Sequence, residues 1–382
     1  MKLTLGFKEL QELSGFANTI LSDKSVEDKL KNFIFMCTKD KVQISGYNAF
    51  TFSRSAFENY TLELDEGVDE WDFQIKASEL NKILASYSSL YKTVVDWVDI
   101  EVYEVRLRLT VHEVPKEGES EQYKKDSVFY LESLPILGNI KQELKKEFPE
   151  QLEYINGDDI IAYLDTLTGL MSNDQAGGVN AKLNFAEDYV FVISATDAVF
   201  LKNHLVDAFK DICLSYSSAV FLNKVVESGC EISVSRFEDK YLCIAFGTSE
   251  AFLKYQRIKV KHQHYVERKS KDRGIVLNRL YLKDVLKRMT DASVNARITV
   301  ESETELMVEN GNFSQVVPID SCRDAVGVSF SISNRILNKL IVGRDDLFDE
   351  SLFIYFVENP KGYLIYLSDK SGAWFSTTQV VK

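Results

Sequence analysis

Proline is scarce, with 5 residues in a chain of 382, which excludes long Pro-rich linkers between loosely coupled domains. Cysteine is equally thin. Cys37, Cys213, Cys230, Cys243 and Cys322 are scattered without a C-x-x-C pair, so they read as reduced, mostly buried thiols rather than a disulfide framework. No run of about 18 apolar residues offers a membrane span. The opening MKLTLGFKELQEL carries charges where a secretion signal needs an unbroken apolar stretch. These features predict an intracellular, cytoplasmic protein. No phosphate-binding glycine loop, dinucleotide fingerprint or His-Glu-x-x-His occurs. With 4 histidines in all, His262 and His264 in VKHQHYVERK lack a carboxylate at a matching distance and read as basic surface. Asp197 in SATDAV has no recognisable Ser or His partner. The expectation is therefore a protein with no metal, no cofactor and no catalytic activity.

What the chain does have is repetition. FQIKASELNKIL (73–84), CLSYSSAVFLNKVV (213–226) and FSISNRILNKLI (330–341) share the triplet Leu-Asn-Lys at 80–82, 222–224 and 337–339. Around each copy the same elements follow in order. In the first third, Phe7, Leu10, Leu13, Ala17 and Ile20 form a helical stripe. The alternating strands NFIFMCT, KVQISGY, FTFSRS and YTLELD come next. After the repeated motif, VDIEVYEV, VRLRLTVHEV and SVFYLESL continue as strands. The other thirds read alike, each as helix, about four strands, helix and further strands. The fold class is thus α+β. It comprises three similar domains, each with two helices on two four-stranded antiparallel sheets, whose apolar faces cover one another. The boundaries read as 1–135, an extended linker at 136–153 with a short charged helix, 154–265 and 266–382.

Charge is unevenly spread. The chain carries −13 overall, yet from Lys254 to Arg288 twelve Lys or Arg face only Glu267, Asp272 and Asp284. A surface repelled by phosphate over most of its area is thus attractive in one region. Arg279, Lys283 and Lys287 fall at i, i+4 and i+8, which predicts a basic stripe nearly opposite the apolar face of Leu282 and Met289. Two readings stand for it: a phosphate-tracking surface that reads no bases, or a solvated helix face.

The local spelling resembles the bacterial-type, three-domain DNA polymerase sliding clamp, the beta subunit family. The matching pieces are MKLTLGFKELQEL, FYLESLPIL (129–137), GGVNAKLNFAEDYVFVISATDAVFL (177–201), FGTSEAFLKYQRIKV (246–260) and ARITVESETELMVEN with FSISNRILNKL. Together they run over nearly the whole chain. The resemblance implies the clamp fold and a homodimeric ring that encircles duplex DNA without sequence preference. It implies DNA polymerase and clamp loader as partners. DNA-facing candidates are Lys8, Lys24, Lys76, Lys82, Lys224, Arg279, Lys283, Lys287, Arg335 and Lys339. The middle domain departs from the pattern, because DDIIAYLDTLTGLM carries Asp158, Asp159 and Asp165 and no base; Lys224 is then its main contribution.

The resemblance also implies an apolar peptide groove between the second and third domains. The matching positions are Val179, Thr196, Ala198, Phe200, Leu201, Arg257, Ile258, Ser333, Phe375, Thr377 and Gln379. The family's glycine and histidine after Thr-Asp are here Ala198 and Val199, and its methionine-rich tail is Ser376-Thr377-Thr378-Gln379. The other reading of Phe200 and Phe375 is as buried core aromatics. For the ring contact the candidates are Phe129 and Leu131 on an edge strand, with Leu286 and Met289 across from them. Alternatives from other classes remain: a ring serving repair or transcription, a nuclease, or a scaffold that never touches DNA.

Overall fold

The computed structural model describes residues 1–21, 31–48, 50–90, 92–171, 182–193, 197–259, 272–289, 295–332, 334–337, 341, 350–359, 362–369 and 374–379. Along them one order of elements recurs three times. The first passage opens with β1 (Lys2–Gly6), α1 (Phe7–Leu21), β2 (Asn32–Thr38), β3 (Lys41–Tyr47), β4 (Thr51–Ala56) and β5 (Tyr60–Glu63). It continues with β6 (Glu70–Lys76), α2 (Ala77–Ser86), β7 (Thr93–Tyr103), β8 (Arg106–Pro115) and β9 (Lys125–Glu132). A short helix, α3 (Gly138–Leu144), comes next.

The second passage starts with β10 (Glu153–Asn156), α4 (Gly157–Leu167), β11 (Lys182–Phe185), β12 (Tyr189–Ile193), β13 (Asp197–Lys202) and β14 (Ile212–Ser215). After α5 (Tyr216–Val225) it ends with β15 (Glu231–Phe237), β16 (Tyr241–Phe246) and β17 (Ser249–Arg257). The third passage has β18 (Gly274–Asn278), α6 (Arg279–Arg288), β19 (Ala296–Val300), β20 (Glu305–Asn310), β21 (Phe313–Pro318) and β22 (Ser321–Arg323). It closes with β23 (Ser329–Ile332), α7 (Asn334–Leu337), β24 (Ser351–Asn359), β25 (Gly362–Ser368) and β26 (Trp374–Gln379).

Local chemistry accounts for the helix starts. Asn156 accepts a hydrogen bond from the Asp158 N–H at 2.9 Å, Ser215 from Ser218 at 3.2 Å, and Asn278 from Leu280 at 2.8 Å. Each satisfies a donor that the first turn leaves unpaired. Along α1, Phe7, Leu10, Ala17 and Ile20 are buried at helical spacing. The helix can lie on β3 because residue 46 is glycine: a Cβ there would sit 2.4 Å from the Ala17 carbonyl oxygen.

The chain forms two compact units. The first is Met1–Tyr154 with Glu231–Lys254. One of its sheets has the order β5-β1-β7-β8-β9. In the other, β6, β2, β3, β4, β17, β16 and β15 are successive antiparallel neighbours. β4 pairs with β17, setting Phe52 opposite Phe252, so strands of two passages share one sheet. A single apolar core draws Leu3, Leu5, Ile100 and Leu109 from the first sheet, Phe33, Phe35 and Ile75 from the second, and Leu10, Leu80 and Leu84 from the helices. Each fully buried side chain of this size stabilises the fold by about 1.5–3 kcal/mol.

The second unit is Ile155–Cys230 with Tyr255–Lys382. Here β14, β11, β12, β13, β26, β25, β24, β18 and β22 succeed one another. A four-stranded sheet has the order β21-β20-β19-β23. The β13–β26 pairing again joins two passages, with Phe200 opposite Trp374.

Candidate nucleic-acid and partner surfaces

The repeated triplet has one meaning in each described copy. Leu80, Leu222 and Leu337 are fully buried, while Lys82 on α2 and Lys224 on α5 are exposed. A leucine that packs the helix down thus carries, two positions on, a lysine directed to solvent. Lys8 on α1 and Lys76 at the start of α2 are also exposed, 4.0 Å from Glu12 and 3.8 Å from Glu79 respectively. Such pairs are weak and leave both lysines free to meet a phosphate. Lys24 and Lys339 lie outside the described residues, and Arg335 lies on α7.

The basic stripe on α6 requires a correction. Arg279 is only 3% exposed and Lys283 9%, both counted with Leu282, Val285 and Leu286 on the buried side. Each i+4 step advances about 40° around a helix. The stripe therefore starts beside the apolar face at Arg279 and reaches solvent only at Lys287. The Arg279 guanidinium donates to the Ile341 carbonyl at 2.9 Å, a structural role. The exposed face consists of Leu280, Tyr281, Asp284, Lys287 and Arg288. On α4, Asp158, Asp159 and Asp165 are exposed, and Asp158 accepts from the Ser228 hydroxyl at 2.6 Å.

The candidate groove residues divide into packed and outlying sets. Ala198, Phe200 and Leu201 are buried, which agrees with the reading of Phe200 as a core aromatic. Phe200 stacks on Phe191 at 4.9 Å and 16° and meets Tyr189 edge-on at 5.9 Å. Both Ala198 and Phe200 join an apolar cluster with Ile193 and Tyr366, against which Ile258 packs half-buried. Arg257 is exposed. Phe375 and Thr377 on β26 stand in register with Val199 and Asp197 on β13, and Gln379 with Tyr363 on β25. Val179, Thr196 and Ser333 lie outside the described residues.

The dimer candidates also shift. Leu131 is 4% exposed and belongs to the core of its own unit, and Leu286 is buried as well; Phe129 packs half-buried against that same core. Met289, at the end of α6, is half-buried. Alternation along β9 puts Val128 and Tyr130 outward, 48% and 51% exposed. Strand period two was the signal in the sequence for this alternation. Each of β9 and β21 ends its sheet, and Val316 on β21 is exposed.

The outer side of the five-stranded sheet holds a polar network. Asp99 sits between Lys2 at 2.8 Å, the Thr4 hydroxyl at 2.6 Å and His112 Nε2 at 3.1 Å, while His112 Nδ1 meets Asp126 at 2.8 Å. Burial works to raise the Asp99 pKa. The bonds from Lys2, Thr4 and His112 together outweigh it and hold the carboxyl below its ordinary range. Among the described residues, no group of three or more His, Cys, Asp or Glu is arranged to hold a metal ion.

An order of helix and antiparallel strands repeated three times, with sheets continued from one passage into the next, defines the clamp class of α+β folds. Solved structures of the polymerase III beta subunit share it along their whole length. The subunit from Borrelia burgdorferi, in complex with a natural product, superposes with a TM-score of 0.73 at 13% identity, covering 100% of this chain and 99% of that one. The DNA polymerase sliding clamp from Bacillus subtilis gives 0.72 at 11%, again covering 100% and 99%. The beta subunit from Thermotoga maritima gives 0.69 at 12%, with the same coverage. At such identities the likeness establishes the fold. No family model and no curated protein matches the sequence.

Proposed function

We propose that the chain is a DNA sliding clamp, a processivity factor without catalytic activity of its own. Two copies close head to tail into a ring around duplex DNA, with three domains per chain at the boundaries read from the sequence. The carrying observation is the clamp fold over the full chain. Exposed Lys82 and Lys224 at corresponding places in two repeats support it. In this reading Lys8, Lys76, Lys82, Lys224 and Lys287 face the duplex with Lys24, Arg335 and Lys339. Their long charges meet phosphates without reading bases. A chain of charge −13 holds DNA weakly by attraction alone, so retention is topological. A polymerase tethered to the ring stays at high effective concentration beside the primer end.

The free edges of β9 and β21 supply the ring contact, pairing strand to strand between copies and removing two open edges. The β13–β26 seam, with Arg257, Ile258 and the β26 residues Phe375, Thr377 and Gln379, is the docking place for short peptides of the polymerase and the clamp loader. Retention on closed circular against linear duplex tests the function. A loaded ring remains on the circle and slides off the free ends. Equal loss from both overturns encirclement, and a chain that never loads with a competent loader overturns the clamp reading altogether.

A further inference from the structure

The outer face of the first seam, where β4 meets β17, is covered by the chain itself. Ile136, Ile140, Leu144 and Phe148 recur every fourth residue and pack onto a cluster of Ile34, Met36, Phe52, Tyr241 and Phe252. Phe148 meets Phe252 edge-on at 5.8 Å, above the Phe52–Phe252 stack at 4.5 Å. The contacts resemble those between a receptor and an amphipathic peptide. Arg54, buried and paired with Glu250, donates to the carbonyls of Leu144, at 3.1 Å, and Lys146, where α3 has spent its own donors. On one side Glu143 accepts from the Tyr241 hydroxyl and from Lys240 at 3.3 Å. On the other, Lys141 reaches Asp72 at 2.5 Å and Lys145 reaches Glu70 at 2.9 Å.

Two observations set this strap apart from ordinary core. A helix of seven residues has no stability of its own, and the Lys145–Glu70 pair, with both partners reached by water, contributes little. The strap also fails to fill the face. A solvent-open pocket of about 360 Å³ remains between the strap at 144–148 and the sheet residues Met36, Thr38, Gln43, Glu70 and Asp72.

We propose that the outer face of the β4–β17 seam is a docking surface for a short amphipathic helix, held in cis by residues 136–148 and open to exchange with a partner segment of the same pattern. The partner carries an apolar side chain every fourth residue, a carboxylate for Lys240 and Tyr241, and basic residues for Glu70 and Asp72, which also line the pocket. This inference stands apart from the clamp reading, since it uses no DNA and no ring.

The probe is a fluorescent synthetic peptide of residues 134–150, added to the full chain and to the double variant Ile140→Ser, Leu144→Ser. The variant should bind the peptide at least ten-fold more tightly than the unaltered chain. Adding Lys240→Ala and Tyr241→Phe should weaken that binding at least ten-fold. A variant that keeps its circular dichroism and cooperative unfolding yet binds no peptide overturns the proposal. If the variant does not fold, hydrogen exchange on the unaltered chain decides. Amides of 138–147 exchanging at least ten-fold faster than those of β4 and β17 support an exchangeable strap, and exchange at the rate of the strands overturns it.

Discussion

Replacing Arg54 by Met removes the charge at the centre of the first seam and leaves its stem. The Arg54 side chain is 8% exposed and that of Glu250 24%. Cutting one member of a buried ion pair costs about 3–5 kcal/mol, because the other charge is left without its partner. Glu250 keeps some access to water, which moves the expectation to the lower end of that range. The Leu144 carbonyl loses a buried donor, adding about 1 kcal/mol, and the cation held 5.0 Å over the Phe252 ring is lost as well. A destabilisation of about 4–5 kcal/mol follows, about three orders of magnitude in the opening constant of the β4–β17 region. Hydrogen exchange of the β4 and β17 amides reads that opening directly, and urea unfolding reads the whole chain. The double variant Arg54→Met, Glu250→Leu should recover most of the loss, since no charge is then stranded. A loss below about 1 kcal/mol for the single variant, or a double variant as damaged as the single, would refute the reasoning.

Gly46→Ala should destabilise the first unit by about 1–3 kcal/mol, because its Cβ would press on the Ala17 carbonyl; a lowered urea midpoint with unchanged slope is the expected reading. Leu131→Asp should unfold rather than merely dissociate the chain, while Tyr130→Asp, on the outward side of β9, should leave circular dichroism intact and reduce the sedimenting mass to that of one chain. Asp99 is held below its ordinary pKa, so its stabilisation is complete above the unfolded value of about 3.9 and fades as pH falls through the folded value. Asp99→Asn should therefore be less stable at neutral pH and show a flatter loss between about pH 5 and pH 2 in the same urea assay.

Much of the fold could be read from periodicity. NFIFMCT and KVQISGY coincide with β2 and β3 residue for residue, and of the first helical stripe Phe7, Leu10, Ala17 and Ile20 are buried on α1 while Leu13 is half-buried. The triplet Leu-Asn-Lys marked the repeat because its leucine has one packing role, and sequence preserves such roles. Long basic side chains gave less. Arg279 and Lys283 occupy the boundary between the two faces of α6, where neighbouring elements decide whether a side chain is covered. Pairings such as β4–β17 and β13–β26 were not legible, since no local pattern states which distant strand completes an edge. Phe129 and Leu131 were chosen for being apolar on an edge strand, yet period two turns those very residues inward and leaves Val128 and Tyr130 outside. The strap was legible only as a charged helix; its apolar side becomes meaningful once Phe52 and Phe252 lie beneath it.

The β4–β17 pairing has a consequence for how the chain is made. The Ser55 and Ser249 hydroxyls that meet across it at 2.7 Å are 194 residues apart. At a synthesis rate of about 5–20 residues per second, β4 waits on the order of 10–40 s for the strand that completes it. Through that interval the nascent first passage carries an unpaired strand edge, beside an aromatic, Phe52, that β17 does not yet cover, a combination that invites pairing with a neighbouring nascent chain. Residues 136–148 emerge well before β17 does. The strap is thus the first part of the chain able to shield Phe52, and its loss should show as aggregation during expression at rates that refolding of the purified protein at high dilution does not reproduce.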